Sequence, residues 1–179
     1  MEAEAPRVLI SEEDIRAKVG ELAARISADY AGRDDLVLIG VLKGSFIFLA
    51  DLARRLTVPH SVDFIALSTY ANGTSTSGAV RLIMDVRRSV TGRHVLVVED
   101  IVDTGYTLRY LLRTLEARQP ASLRTCALVR KPDRREVDVT VDYLGFDIPD
   151  VWVVGYGLDY AERFRTLPYI GALDPSEPA

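Results

Sequence analysis

The segment Val95–Leu108, with the sequence VLVVEDIVDTGYTL, has the residue types and spacing best suited to chemistry. An apolar run ends in two adjacent acids, Glu99 and Asp100, and a third acid, Asp103, follows closely. Carboxylates can accept hydrogen bonds from sugar hydroxyls, ligate Mg²⁺ or transfer a proton. In a purely structural alternative, Asp103 caps a helix and the other two acids are solvated at the end of a strand. From the residues alone, both interpretations remain open.

The residues from Asp103 to Thr107 connect this apolar run to a helix that is predicted from leucines at helical spacing. Main-chain amides at a helix N-terminus favour a phosphate group, and the helix dipole adds to the attraction. Gly105 lets the main chain approach such a ligand closely, and the hydroxyls of Thr104 and Thr107 provide further donors. The spacing matches neither GxxxxGK[ST] nor GxGxxG. The segment therefore predicts a phosphate site of another type.

The elements that position this segment alternate between helix and strand, which predicts an α/β fold with a mainly parallel sheet. Ligands of open α/β sheets bind at the carboxyl ends of the strands, where Asp103 is expected to lie. We predict helices over residues 11–30, 46–56 and 108–115, and strands over 36–41, 62–67, 95–98, 123–129, 137–141 and 151–154.

Composition limits the classes of partner. The 179 residues are 48 % apolar and 27 % charged, as in an ordinary globular domain. A net charge of −4 with no basic run argues against nucleic acid. No apolar run approaches the roughly 18 residues of a membrane span, and no secretory signal pattern opens the sequence. The single cysteine, Cys126, predicts a cytoplasmic, reducing environment, and lysines are rare.

Residues 68–78, STYANGTSTSG, are small and polar and cannot bury apolar surface. This segment is either a long hairpin loop or a lid that closes over a reaction requiring the exclusion of water. As a lid, it would use Tyr70 as the side chain most suited to contact a ligand.

The motif VVEDIVDTGYTL resembles the phosphoribosyl-pyrophosphate (PRPP) motif of type I phosphoribosyltransferases, in the form of the 6-oxopurine, or hypoxanthine-guanine, branch. Four other segments resemble that family and follow its order over residues 36–173. They are Leu42-Lys43-Gly44 (pyrophosphate loop), Ser68-Thr69-Tyr70 (start of the flexible catalytic loop), Arg130-Lys131-Pro132 (base-recognition lysine) and residues 145–173 (purine- and metal-binding region).

The resemblance implies the type I phosphoribosyltransferase fold, a mainly parallel central sheet flanked by helices, with a small hood formed by the N- and C-terminal segments. It implies one domain over residues 1–179, with a core at about 36–140 and a hood from about 1–30 and 141–175. Members of the family are commonly dimers or tetramers, so a homo-oligomer is expected.

The implied reaction converts hypoxanthine or guanine plus PRPP to IMP or GMP and pyrophosphate, with Mg²⁺. The resemblance assigns the 5′-phosphate to the main chain and hydroxyls of the 103–107 segment, and an acid/base role at purine N7 to Asp103. It assigns the ribose hydroxyls and Mg²⁺ to Glu99 and Asp100, and Mg²⁺ on the pyrophosphate side also to Asp159. The 5′-phosphate contacts are Thr104, Gly105, Tyr106 and Thr107. Pyrophosphate is assigned to the backbone of Lys43 and Gly44 and to Arg165. The family often holds the Leu42–Lys43 peptide in the cis form.

On the purine side, the resemblance has Lys131 donate a hydrogen bond to O6. An ammonium group has donors and no acceptor, so it favours a 6-oxo over a 6-amino purine. Trp152 is expected to stack on the purine ring and the backbone of Val153 to contact its edge, with Asp159 nearby.

Two alternatives have the same fold. A nucleotide-sensing regulator that binds RNA or DNA is disfavoured because Asp103 is intact and neither an appended DNA-binding module nor a basic face is evident. A phosphoribosyltransferase for adenine or orotate is disfavoured by Lys131 and the C-terminal purine segment, and one for xanthine only weakly.

Overall fold

The computed structural model describes residues 6–70 and 79–173. In chain order, its elements are β1 (Arg7–Ile10), α1 (Glu12–Asp29), β2 (Leu36–Leu42), α2 (Phe46–Ala53), β3 (His60–Tyr70), β4 (Ala79–Met84), β5 (His94–Val102), α3 (Tyr106–Glu116), β6 (Ser122–Arg130), a 3₁₀ turn (Pro132–Arg134), β7 (Tyr143–Asp147), β8 (Trp152–Val154) and β9 (Ile170–Leu173). Among the described helices, none is both long enough and apolar enough to cross a membrane.

The central sheet has six strands in the order β4-β3-β2-β5-β6-β7. All neighbours are parallel except β4, which runs antiparallel to β3. The chain leaves β2 toward β3 on one side and later returns to β5 on the other side of β2. The carboxyl ends of β2 and β5 therefore border the point where the strand order reverses, which is the usual ligand position in such sheets. The predicted α/β class is confirmed.

Helices cover both faces of this sheet. Alternate residues of the central strands point to opposite faces, so each strand contributes to two separate apolar clusters. Leu36 and Leu38 of β2 join the apolar cluster that includes α1 and α2. Val37 and Ile39 join the cluster that includes α3. Residues 36 to 41 are all buried, as the continuous apolar run predicts. The sheet is thus a rigid base for the loops at its carboxyl edge.

The expected hood is a three-stranded antiparallel sheet in the order β1-β9-β8, built from both ends of the chain. Its limits differ from those expected. Strand β7 extends the central sheet past residue 140, and α1 packs against α2 and β7. The Tyr143 hydroxyl donates to Asp29 across 2.6 Å, which ties β7 to α1. Residues 1–5 and 174–179 of the expected hood lie outside the described part.

The predicted strand over 137–141 is wrong, and the strand follows at β7. The backbone amide of Thr125 on β6 donates to the Asp142 carboxylate across 2.8 Å, and its hydroxyl donates to the Thr140 carbonyl across 2.8 Å. Side-chain bonds thus replace backbone pairing here, and ladder bonds begin only at Tyr143. Val137 is buried, but its contact is with the turn before α3.

Candidate active site

The turn between β5 and α3 forms an open cradle of amides. Gly105, the N-cap of α3, has φ +92°, and a Cβ there would lie 2.9 Å from the Val137 side chain, so only glycine fits well. The Thr104 carbonyl accepts from the amides of Glu136 and Val137 across 3.0 and 3.2 Å. Within the described chain, the amides at positions 105–107 donate to no protein acceptor. The geometry suits an anion.

Glu99 and Asp100 lie within β5 and not after it, because the strand continues to Val102. Glu99 is 5 % exposed, and burial raises its pKa well above the ordinary value, with a further contribution from the Asp100 charge. Burial also raises the pKa of Asp100, to about 6. The ion pairs of the described residues include neither carboxylate. The charge of Arg165 lowers the pKa of Asp100 but does not offset the effect of burial.

The loop after β2 packs directly on this acid pair. A Cβ at Gly44 would collide with the Asp100 carboxylate, and one at Gly157 would collide with the Gly44 carbonyl. Gly157 has φ +105°, so both space and conformation require glycine there. The Leu42–Lys43 peptide is cis, as expected. The loop after β2, the end of β5 and the loop between β8 and β9 (the hood loop) therefore meet at one place.

The hood loop brings a basic and acidic cluster to Lys43. Arg165 donates through Nη1 to the Gly157 carbonyl across 2.8 Å, and its Nη2 lies 2.9 Å from Asp159 Oδ1. Glu162 Oε1 lies 3.3 Å from Arg165 Nη2, and Glu162 Oε2 accepts from Lys43 Nζ across 3.0 Å. The sequence predictions at Lys43, Asp159 and Arg165 thus fall in one cluster. They did not include Glu162, although it lies between Asp159 and Arg165 in the same motif.

A second charged network lies beyond the end of β6. Lys131 is buried, and its amide donates to the Val102 carbonyl across 3.0 Å, which holds it beside the end of β5. Its Nζ lies 3.5 Å from Asp150 Oδ1, which is 3.9 Å from Arg134 Nε. Arg134 in turn donates to Asp103 Oδ1 across 3.2 Å. Lys131 and Asp103 are therefore linked through two residues that the sequence predictions did not include.

Trp152 lies on β8 and is 50 % exposed, an unusual position for an indole. Tyr160 contacts it edge to face, with ring centroids 5.8 Å apart. The adjacent Val153 is buried and pairs with Ala172 of β9. An accessible indole face on a paired strand is suited to stack on a flat ligand.

The acids present can take a divalent metal only with help from a ligand. In the described ranges, no three Asp, Glu, His or Cys side chains converge on one point. Glu99 is buried and Asp100 is partly buried, and both offer carboxylate oxygens that form no ion pair with the described residues. Asp159, in contrast, is paired with Arg165. Mg²⁺ prefers such oxygens and usually takes one or two carboxylates with water and substrate phosphates. The donor set fits magnesium that arrives with a phosphate compound.

The three residues expected to begin a lid, Ser68 to Tyr70, belong to β3 and pair with β4. Ser68 lies opposite Arg81. Residues 71–78 between the two strands are outside the described part of the chain, so the observed strands support the hairpin and leave the lid an expectation.

Comparison with known proteins agrees with this geometry. The model of the phosphoribosyl transferase domain family matches residues 11–161. A hypoxanthine-guanine phosphoribosyltransferase of Mycobacterium avium is 51 % identical over 173 residues, covering 94 % of this chain and 85 % of that protein. A crystal structure of a hypoxanthine-guanine phosphoribosyltransferase from Bacillus anthracis superposes with a TM-score of 0.91 at 47 % identity, covering 96 % of this chain and 100 % of that one.

A hypoxanthine phosphoribosyl transferase of Trypanosoma cruzi, studied for the role of its C-terminal region in oligomeric state and activity, also superposes with a TM-score of 0.91. It is 46 % identical, and the match covers 98 % of this chain and 95 % of that one. Sequence motifs, topology and relatives agree: the chain belongs to the phosphoribosyltransferase family, in its hypoxanthine-guanine branch.

Proposed function

We propose that this chain transfers the phosphoribosyl group of PRPP to hypoxanthine or guanine, giving IMP or GMP and pyrophosphate. The observation that carries the proposal is a juxtaposition at one edge of the central sheet. An amide cradle follows β5, an acid pair lies on β5 close to its carboxyl end, and a buried lysine follows the adjacent strand β6. These groups suit, respectively, a phosphate, a ribose with its metal, and a 6-oxopurine. The named activities of the relatives support the same reaction.

The first step is the binding of PRPP. Residues 103–107 receive the 5′-phosphate through main-chain amides and threonine hydroxyls, at the positive end of α3. Glu99 and Asp100 accept hydrogen bonds from the 2′- and 3′-hydroxyls of ribose. Magnesium would be held by Glu99 and Asp100 together with ligand oxygens, and it would supply positive charge to the pyrophosphate. Asp159 would join them by exchanging Arg165 for the metal. The charge of the metal would compensate Glu99 and Asp100, which form no ion pair with the described residues and whose pKa values are raised by burial.

Bond cleavage requires stabilisation of the leaving group. The bond between ribose C1′ and pyrophosphate breaks while purine N9 attacks C1′. The main chain at Lys43 and Gly44 and the Arg165 guanidinium stabilise the negative charge that develops on pyrophosphate. Arg165 is held by the Gly157 carbonyl and Asp159, so it is positioned before the substrate arrives.

The purine is held by contacts on its edge and face. Lys131 donates to O6, Trp152 stacks on the ring and the backbone of Val153 contacts the edge. Asp103 faces N7, where it holds or accepts the purine proton as N9 forms its new bond. The pairing of Asp103 with Arg134 keeps that carboxylate oriented in the free protein.

A panel of purines with PRPP and Mg²⁺, followed by detection of mononucleotide, tests the function. We expect turnover with hypoxanthine or guanine and none with adenine or orotate, because the Lys131 ammonium cannot accept a hydrogen bond from a 6-amino group. Turnover of adenine alone, or of no base, would refute the assignment.

We also propose that the protein acts as a homo-oligomer. Large apolar side chains are exposed on β3, β4 and the start of α2, with Ile83 66 % exposed, and they include Phe46, Val62 and Met84. Large exposed apolar patches often mark the surfaces through which proteins associate. Light scattering coupled to size exclusion tests the proposal, because a single-chain mass at micromolar concentration would refute it.

A cytoplasmic setting completes the proposal. The only cysteine, Cys126, is buried, and burial raises the pKa of its thiol, so the protein relies on no disulfide and presents no reactive thiolate. Fractionation of the source cells, with activity in the membrane or secreted fraction as the contrary result, tests it.

A further inference from the structure

Glu162 bridges two side-chain cations at the proposed pyrophosphate site. One is the Arg165 guanidinium, which the proposed function assigns to pyrophosphate, and the other is the ammonium of Lys43, whose main chain it assigns there. One of the Glu162 carboxylate oxygens lies 3.0 Å from Lys43 Nζ, and the other lies 3.3 Å from Arg165 Nη2. The cations come from distant parts of the chain, and a single two-oxygen anion bridges them. A phosphate group would bind the same two donors in the same manner.

The backbone that presents Glu162 is strained. Tyr160 and Arg163 exchange backbone hydrogen bonds, and the two residues between them, Ala161 and Glu162, have φ of +50° and +63°. Such tight turns favour glycine or asparagine, and neither is present. The Glu162 amide donates to Asp159 Oδ2 across 2.8 Å, which helps to hold the turn. Strained non-glycine residues persist where the surroundings fix them, and they cluster at functional sites.

The contacts of the cluster differ in how easily they break. The Arg165 side chain is largely buried and fixed by Gly157 and Asp159, and among the described residues its Nε has no hydrogen-bond partner. The side chains of Lys43 and Glu162 are 66 % and 64 % exposed. Exposed ion pairs contribute little to stability, so an anion of higher charge can displace this carboxylate. Arg165 would then stay in place with a donor still unused.

We propose that Glu162 is a built-in competitor of pyrophosphate: its carboxylate occupies the Lys43 and Arg165 donors in the free protein and leaves them when the pyrophosphate group of PRPP binds. This inference rests on the proposed function, because it takes the pyrophosphate site from it. The return of Glu162 after the reaction favours product release. Removal of its charge should therefore strengthen the binding of pyrophosphate and slow its departure.

The test compares Glu162→Gln with Glu21→Gln, which removes the same charge from another lysine–glutamate pair, on α1. Titration calorimetry measures inorganic pyrophosphate at fixed Mg²⁺, and initial rates give the KM for PRPP and inhibition by pyrophosphate. For Glu162→Gln we expect affinity for pyrophosphate to rise about two- to tenfold, KM for PRPP to fall and inhibition to strengthen. Glu21→Gln should match the wild type.

A third variant, Glu162→Asp, separates bridging from simple charge. It keeps the charge but is one methylene too short to span both cations, so the proposal expects its pyrophosphate affinity to rise as well. Wild-type affinity in Glu162→Asp, or unchanged or weaker binding in Glu162→Gln, would overturn the inference. The proposed function is judged separately by wild-type turnover of hypoxanthine. Thermal unfolding of each variant checks that the fold is kept.

Discussion

Two acidic regions at the same edge of the sheet differ in whether their carboxylates are paired with basic side chains. Glu99 and Asp100 on β5 are desolvated and form no ion pair with the described residues, and burial raises both pKa values. Asp103, a few residues later, is paired with Arg134, and its network with Asp150 and Lys131 contains two positive and two negative side chains. The difference matches the proposed ligands: a purine is neutral and suits a balanced pocket, whereas PRPP would bring magnesium and hydroxyl donors to acids that lack an ion-pair partner.

The largest effect is expected at Asp103. In Asp103→Asn, the amide oxygen can still accept from Arg134, so the network and the fold are kept, but the acid/base group is lost. We expect kcat to fall about 10²–10⁴-fold while both substrates still bind. Rates of mononucleotide formation and calorimetric binding measure the two effects.

A control for Asp103→Asn is Asp138→Asn, which removes an acid from a nearby surface pair with Arg135 and is 94 % exposed. Its kcat should equal that of the wild type. Unchanged turnover in Asp103→Asn would exclude Asp103 from the mechanism and would reduce its network to a structural feature.

Removing the charge of Asp100 should lower activity and raise stability. In Asp100→Asn, we expect kcat/KM to fall about 10- to 100-fold through loss of a charge-assisted hydrogen bond. Because the pKa of Asp100 is raised from 3.8 to about 6, the folded state binds more protons than the unfolded state between those pH values. The free energy of unfolding of the wild type therefore decreases as pH rises through this window.

The same variant should be more stable than the wild type at pH 7, by about 1–3 kcal/mol, and the stability loss between pH 4 and 6 should shrink. Denaturant unfolding of the metal-free proteins from pH 4 to 8 measures both. A less stable Asp100→Asn at pH 7 would mean that the acid supports the fold, and the contrast with Asp103 would no longer hold.

Lys131→Met tests whether the balanced network selects the purine. The change keeps the length of a buried side chain but removes the donor to O6. We expect kcat/KM for hypoxanthine to fall about 10- to 100-fold and the preference over adenine to shrink. Lys18→Met on α1, which removes a lysine from the Glu21 pair, is the control. An unchanged ratio of hypoxanthine to adenine would assign purine selection to other groups.

The sequence predicts those parts of the fold where a local residue pattern is compatible with one type of secondary structure. Ser11 caps α1 and accepts from the Asp14 amide, as its position before the amphipathic run indicates. The continuous apolar run at residues 36–41 is suited to a strand buried on both faces, and the structure has that strand as β2. Residues 137–141 had the same alternation as a strand, but bonds from Thr125 to Asp142 and the Thr140 carbonyl took the place of pairing. Such side-chain competition leaves no periodic signal.

The candidate site also contains residues that the sequence predicts and residues that it does not. Glu99, Asp100 and Asp103 can be proposed from the sequence because three acids fall within five residues beside a predicted phosphate site, and Lys131 because lysines are rare in this chain. Arg134, Asp150 and Glu162 are ordinary surface types here, in a chain with 22 basic and 26 acidic residues. The roles of these residues become visible only in the folded chain. The fold places Glu162 beside Lys43, 119 positions away, and it places Arg134 and Asp150 between Asp103 and Lys131.

The smallest expected effect concerns Asp150, the counter-ion of Lys131. Asp150→Asn keeps the shape but removes the charge 3.5 Å from Lys131 Nζ. Since Asp150 is half-exposed, the pair is weak, and we expect KM for hypoxanthine to rise only about two- to fivefold. KM for PRPP should stay at the wild-type value, because the ion pairs that Asp150 forms with described residues are with Lys131 and Arg134 of the purine-side network. Steady-state kinetics with each substrate varied in turn measures both constants. An equal rise in both would mean that the two regions are not independent, whereas no rise in either would mean that the backbone bond to Val102 alone positions Lys131.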